Sequence, residues 1–327
     1  MKFLKTTLLA SLLTFGMGAT AYANLSVNDS TDGVVAMVND EIILKSELMG
    51  AMEELAQGYL ENQIPADMEQ IQNQAMEQLI IRKIQLGMVN RAGFSVNENI
   101  INRQIAQLAQ AQGFTSLTDF QQYLDKQQAG GYAKLRQQLI DDASLTALWQ
   151  AQVSPRIKIN EQDVDALLNS PEGAKIPNEQ VLLPEWHTSH ILVRVDDTQS
   201  DSMASQKINA IYAQLQQGAD FKALASTYSD DTGSALQQGS LGWVNEGQMV
   251  KEFEEVMQNT ARGNFSTPFR SQFGWHILKV NDTRQRDVSV QHRRNLAKEM
   301  LFARMAPQAE EDWILELRAG AYIKIME

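Results

Sequence analysis

The chain has 327 residues, room for roughly two domains of ~150 residues each, and its 43% hydrophobic and 21% charged residues suit packed cores rather than disorder. Its 28 basic against 40 acidic residues leave a net charge of -12, which argues against broad binding to nucleic acid or anionic membrane, since that needs a basic surface. There is no cysteine, so disulfides, thiolate nucleophiles and cysteine-ligated metals are excluded, and histidine chemistry must use His187, His190, His276 or His292.

Residues 1–23 read as a secretory signal: Lys2 and Lys5, a short apolar stretch from Leu8 to Met17, and the small-x-small motif Ala21-Tyr22-Ala23, with cleavage expected after Ala23. That stretch is shorter than the ~20 residues of a membrane span. Residues 24–33 are polar. Val34 to Leu44 then reads as a β-hairpin turning at Asn39-Asp40-Glu41, and Ser46 is the expected N-cap of a helix running toward Pro65. A second helix is expected from Met68 to Arg91, because Ile71, Ala75, Leu79, Ile80, Ile84 and Met88 form one stripe at three- and four-residue spacing. Further helices are expected over 97–112, 117–126 and 132–153, the last two separated by Gly130-Gly131.

Pro171, Pro177 and Pro184 fall close together and mark residues 171–186 as a linker. Beyond it, His187–Val195 is strand-like, 202–216 helical, and Asp220 caps a short helix. A strand at 241–244, a helix at 250–257 and strands near 265–270 and 275–280 complete a compact α+β unit. A long helix follows over 288–318, with Pro307 a candidate interruption, and Ala321–Ile325 reads as a final strand. A lone strand needs a partner, and the hairpin at 34–44 is the candidate, so the two ends of the chain are expected to meet.

Phosphate-cradling and dinucleotide glycine motifs are absent from the sequence, so neither nucleotide nor cofactor is expected. His187 and His190 would face opposite sides of a strand, which argues against a shared metal. The informative segments are Ser189-His190-Ile191-Leu192-Val193, Tyr228-Ser229-Asp230-Asp231, Gly239-Ser240-Leu241-Gly242-Trp243, Gly247-Gln248-Met249-Val250-Lys251-Glu252-Phe253 and Phe273-Gly274-Trp275-His276-Ile277. Together they closely resemble the parvulin family of peptidyl-prolyl isomerases over about residues 185–283. The flanks, Val35 to Leu44 and Arg318 to Ile325, resemble SurA-type periplasmic chaperones. The best-known members carry two parvulin domains, and this chain has room for one.

The resemblance implies an α+β fold: a mostly helical chaperone core of residues 24–170 and 284–327 with one parvulin-like domain, 187–283, inserted in it. It implies that His190 and His276 form the floor of the site and that Asp231 is its polar group. Leu241, Met249 and Phe253 would form the apolar wall that holds proline, and Ser271 and Phe273 would line the approach to His276. Ser240 departs from the family, where Asp is usual before Leu-Gly, and this puts the local loop hydrogen bonding in question. Two readings stay open for the histidines, a chemical role or a structural pair on adjacent strands, with a hydrogen bond shared between the rings as one way to fix their tautomers. Asp231 could act ionised, protonated or through water. The implied activity is periplasmic: holding unfolded outer-membrane β-barrel chains and isomerising X-Pro bonds without ATP, in contact with proline-containing peptides and the outer-membrane β-barrel assembly machinery. The alternative is a holdase whose parvulin domain only binds clients.

Overall fold

The computed structural model describes residues 32–326, so the expected signal segment and most of 24–33 lie outside the described residues. The contacts divide the chain into two compact units, one of residues through Glu161 together with Met300 onward, the other of Gln162–Glu299.

In the first unit, β1 (Val34–Val38) and β2 (Glu41–Leu44) pair as an antiparallel hairpin, with Asn39 in the left-handed conformation its short polar side chain tolerates. Helix α1 (Lys45–Glu61) starts one residue before the expected cap. Its N-terminus is held by the Glu47 carboxylate, which accepts the Leu44 N–H at 2.8 Å, while the Ser46 hydroxyl lies inside the first turn and bonds Asp32. Glu at the third helical position can satisfy an orphan donor without a capping hydroxyl, and this is the physical reason the Ser46 reading failed. Helix α2 (Met68–Ala92) is capped by Asp67, which accepts the Gln70 N–H at 2.7 Å, and buries Ile71, Ala75, Met76, Ile80, Ile84 and Val89. We expect Asp67→Ala to lower the stability of this unit by about 1 kcal/mol, read as a shift in its thermal unfolding, because the cap bond has no replacement. Helices α3 (Glu98–Ala111), α4 (Leu117–Gln127) and α5 (Gly131–Gln152) pack Ile101, Ile105, Phe120, Leu124 and Leu135 into a second cluster.

The second unit opens with α6 (Glu161–Leu168), a helix for which the sequence reading had no element. Residues 171–186, expected as a linker, hold a 3-10 turn at 173–175 and the start of β3 (Leu182–Arg194). Pro184 is tolerated there because β4 reaches only as far as Glu185, leaving one side of the strand an open edge where a missing N–H breaks no ladder. Helices α7 (Asp201–Gln216), α8 (Phe221–Tyr228) and the single turn α9 (Thr232–Ala235) come next. They are followed by β4 (Ser240–Asn245), α10 (Lys251–Asn259), β5 (Phe269–Ser271) and β6 (Gly274–Asp287). The strand expected from Phe265 begins only at Phe269, after Pro268, and Phe265 makes an isolated bridge to Lys279.

The four strands form one antiparallel sheet in the order β4-β3-β6-β5. One face carries Ile191, Val193 and Ile277 against α7 and α8. The other packs Val244, Leu278 and Val280 against Phe253 and Met257 of α10. Strand β6 runs on through residues 284–287, which had been assigned to the C-terminal helical segment. Buried Glu185 explains this extension. It accepts from Arg284 at 2.6 Å and Arg286 at 2.8 Å on the facing strand, and Arg284 also lies over the Trp243 ring at 4.1 Å.

Helix α11 (Ser289–Ala319) runs unbroken through Pro307. Residues 303 and 307 are exposed, so the carbonyl that loses its intrahelical donor faces water. In the first unit Trp313 of this helix is buried with Val89, Leu148 and Val153. The last strand, β7 (Ile323–Ile325), pairs with β1, Ala36 opposite Ile325 and Val38 opposite Ile323, so the two ends meet as the lone-strand argument requires. Among the described residues no helix is long and apolar enough to cross a membrane.

Candidate functional site

Strand register builds the site. His190 stands opposite Leu278, and Leu192 opposite His276, so the two histidines are diagonal neighbours on adjacent strands. Alternation puts both on the α10 face of the sheet. Their rings stack at 23° with centroids 5.7 Å apart. Phe253 of α10 stands edge-on to both at 5.9 Å, and Phe269 of β5 stacks on His276 at 5.3 Å.

Beyond the end of β4, the segment leading into α9 takes over the free side of β3. The Ser229 hydroxyl accepts the Leu192 N–H at 3.1 Å, and Asp230 N–H donates to the Leu192 carbonyl at 2.7 Å. This docking sets Asp231 against His190, with Oδ2 2.8 Å from Nε2. On the other side, the buried Ser271 hydroxyl lies 2.8 Å from His276 Nε2. That oxygen already accepts the Phe273 N–H at 3.1 Å, which leaves its proton free for His276.

The shared hydrogen bond considered for the two rings is not found. Each Nε2 is held by another group, and both Nδ1 atoms are buried without a partner. Burial holds the His190 imidazole below its ordinary pKa despite the Asp231 carboxylate. Burial, with the His190 and Arg270 charges, pushes His276 down to about 3. Both rings are therefore neutral at pH 7. For Asp231, burial acts to raise the pKa, but hydrogen bonds from Ser234 and His190 outweigh it and hold the carboxyl below its usual range. Of the two protonation states considered for Asp231, the ionised one is favoured.

The remaining residues divide by depth. Leu241 and Met249 are half-buried members of the cluster around Phe253, which is itself 3% exposed. Ser271 is buried and holds His276, a positioning contact, whereas Phe273 is 51% exposed at the turn into β6. Ser240, in place of the family's Asp, accepts the Gly242 N–H at 3.3 Å, so the hydroxyl serves the local loop. Sequence reasoning missed two members. Phe269 lies in a strand too short to show alternation, and Ser234 touches His190 only through the fold. Among the described residues no group of His, Asp and Glu is placed to hold a metal ion.

Comparison with known proteins matches residues 31–148 to the SurA N-terminal domain and residues 190–282 to the PPIC-type PPIASE domain. Chaperone SurA of Alcanivorax borkumensis is 27% identical over 402 aligned positions, covering 90% of this chain and 92% of the relative. Chaperone SurA of Xanthomonas oryzae pv. oryzae is 27% identical over 427 positions, covering 97% and 92%. The second alignment is longer than the chain by about a hundred positions, the size of one small domain. Among solved structures, the parvulin of Nitrosopumilus maritimus is 38% identical over 29% of this chain and 94% of its own, with a TM-score of 0.25. A structure from Campylobacter jejuni, described with PEB4 and Cj1289 as SurA-like chaperones, is 13% identical over 90% of this chain and all of its own, with a TM-score of 0.39. With a SurA N-terminal domain, a single PPIC-type domain and SurA chaperones as relatives over most of its length, the chain is a SurA-type protein with one parvulin domain.

Proposed function

We propose that this chain is a periplasmic chaperone that holds unfolded outer-membrane β-barrel chains and isomerises their X-Pro bonds without ATP. In this reading the signal segment is removed after Ala23. Residues 24–170 and 284–327 do the holding, 187–283 do the isomerisation, and clients pass to the outer-membrane β-barrel assembly machinery. The observation that carries the isomerase part is a pair of buried neutral histidines between an ionised Asp231 and an apolar wall of Leu241, Met249 and Phe253.

The chemistry needs little more. Rotation about the prolyl C–N bond crosses a barrier of ~18–20 kcal/mol set by amide conjugation, and no covalent bond breaks. The catalyst must favour the twisted amide over either planar form. An apolar wall can hold the ring without charge. Conjugation places negative charge on the carbonyl oxygen, and twisting removes it. A carboxylate near that oxygen therefore penalises the planar amide more than the twisted one, so the ionised Asp231 lowers the barrier through electrostatics. Neutral rings beneath keep the floor free of a cation that would offset this effect.

The test uses the mature protein with a short prolyl peptide and, separately, an unfolded outer-membrane protein prone to aggregate. We expect catalysed isomerisation, with kcat/KM about tenfold lower in Met249→Ala and reduced in Asp231→Ala, and aggregation suppressed equally by parent and variants. A parent without isomerisation would make the parvulin domain a client-binding module. A parent that leaves aggregation unchanged would remove the chaperone reading.

A further inference from the structure

We infer that Ser234 is a positioning residue of this site, closing a triad in which its hydroxyl, bonded to the Asp231 backbone, faces His190 Nε2 beside the Asp231 carboxylate and so sets the tautomer and angle of that imidazole. The inference rests on the isomerase reading above. Ser234 is 6% exposed, and its Oγ lies 3.0 Å from His190 Nε2. It sits three residues beyond Asp231 in the single turn α9, a spacing that brings its side chain back over the aspartate. The same hydroxyl donates to the Asp231 backbone carbonyl at 3.4 Å.

Proton counting then assigns the ring. A backbone carbonyl only accepts, so the Ser234 proton points to the Asp231 carbonyl and the Ser234 lone pairs face His190. His190 Nε2 therefore stands before two acceptors, Asp231 Oδ2 at 2.8 Å and Ser234 Oγ at 3.0 Å, and must carry the proton. The unpartnered buried Nδ1 is left with a lone pair rather than an orphaned N–H. Asp231 alone is a weak anchor, because its side chain is one-third exposed and can swing toward water. Ser234, fixed in the interior, gives Nε2 a second acceptor that does not swing away. Its backbone carbonyl accepts from Gly239 at 2.7 Å and Gln237 at 2.8 Å, so the loop holds the serine in place independently of its hydroxyl. Removing only the hydroxyl leaves those bonds intact.

The test compares the full mature chain with Ser234→Ala and Ser234→Thr, reading prolyl-peptide kinetics and the imidazole nitrogen resonances of His190 at pH 7. In Ser234→Ala we expect kcat to fall about tenfold with KM within about twofold, and the Nε2–H signature of His190 to give way to mixed tautomers, with Ser234→Thr restoring both. A folded Ser234→Ala variant with parental kcat and an unchanged nitrogen pattern overturns the inference. If either variant fails to fold, the parent decides: a protonated Nε2 with bare Nδ1 supports the triad, and a protonated Nδ1 overturns it. An inactive parent removes the isomerase reading, while the nitrogen resonances still test the triad.

Discussion

Gly274→Ala is expected to destabilise the second unit by about 3 kcal/mol or more and to abolish the ordered site with it. Gly274 begins β6 with φ +147, and a Cβ there would lie 2.2 Å from the Val193 carbonyl oxygen and 2.8 Å from Arg194 Cα. Those are backbone atoms of β3 in register with the glycine, Arg194 opposite Gly274, so relief requires opening the central strand pair. The damage spreads along the register to Leu192 opposite His276 and to the Ser271–His276 bond at the same turn. Gly263→Ala is the control. It also has positive φ, +85, but nothing lies within 4 Å of its added carbon, so the cost is the backbone term of about 1 kcal/mol. Scanning calorimetry of the two variants decides between clash and strain: similar losses would show that the approach to Val193 is unimportant.

How much of this could be read in advance depends on whether the signal was local. The stripe of α2 and the helix over 97–112 were legible because one apolar face repeats within a few turns, and Ile71, Ala75, Ile80, Ile84, Ile101 and Ile105 are buried as the spacing requires. The pairing of β7 with β1 followed from the cost of a lone edge. The ribbon formed by residues 182–187 and 282–287 carried no such signal. Its pairing is held by Glu185 with Arg284 and Arg286, charges that in sequence look like solvated surface. At the site, the resemblance named His190, Asp231 and His276, which the fold brings together. The supports were harder to see. Ser234 and Phe269 are ordinary residue types in short elements, and their meaning appears only when α9 and β5 close around the sheet.

Acid should unfold the second unit before its surface charge alone would require it, and His276 should account for the largest single share. Its imidazole, 3% exposed, is pushed down to about 3 by burial and by the neighbouring His190 and Arg270. The groups around it are His190 on β3, Arg270 on β5 and Asp231 ahead of α9, with only apolar Phe253 facing it from α10 and Phe269 stacked on it from β5. The unfolded chain binds a proton at this ring below pH ~6.5, while the folded chain refuses it until about pH 3. In that window the unfolded state holds more protons, so stability falls as the pH falls. Between pH 7.5 and 4.5 the loss from this ring alone is roughly 2–3 kcal/mol. His190, lowered in the same direction, adds to it, and Asp231 extends the loss below the ordinary carboxyl range because its folded pKa is also depressed. Urea unfolding of the parent and of His276→Gln at the two pH values isolates the contribution: the variant is expected to be less stable at pH 7.5 but to lose roughly 2–3 kcal/mol less on acidification. A direct titration of the ring in the folded parent gives the opposing result its chance. An imidazole that takes up its proton near pH 6.5 would mean that water reaches the floor of the site, and the neutral floor beneath Asp231 would no longer hold at mildly acid pH.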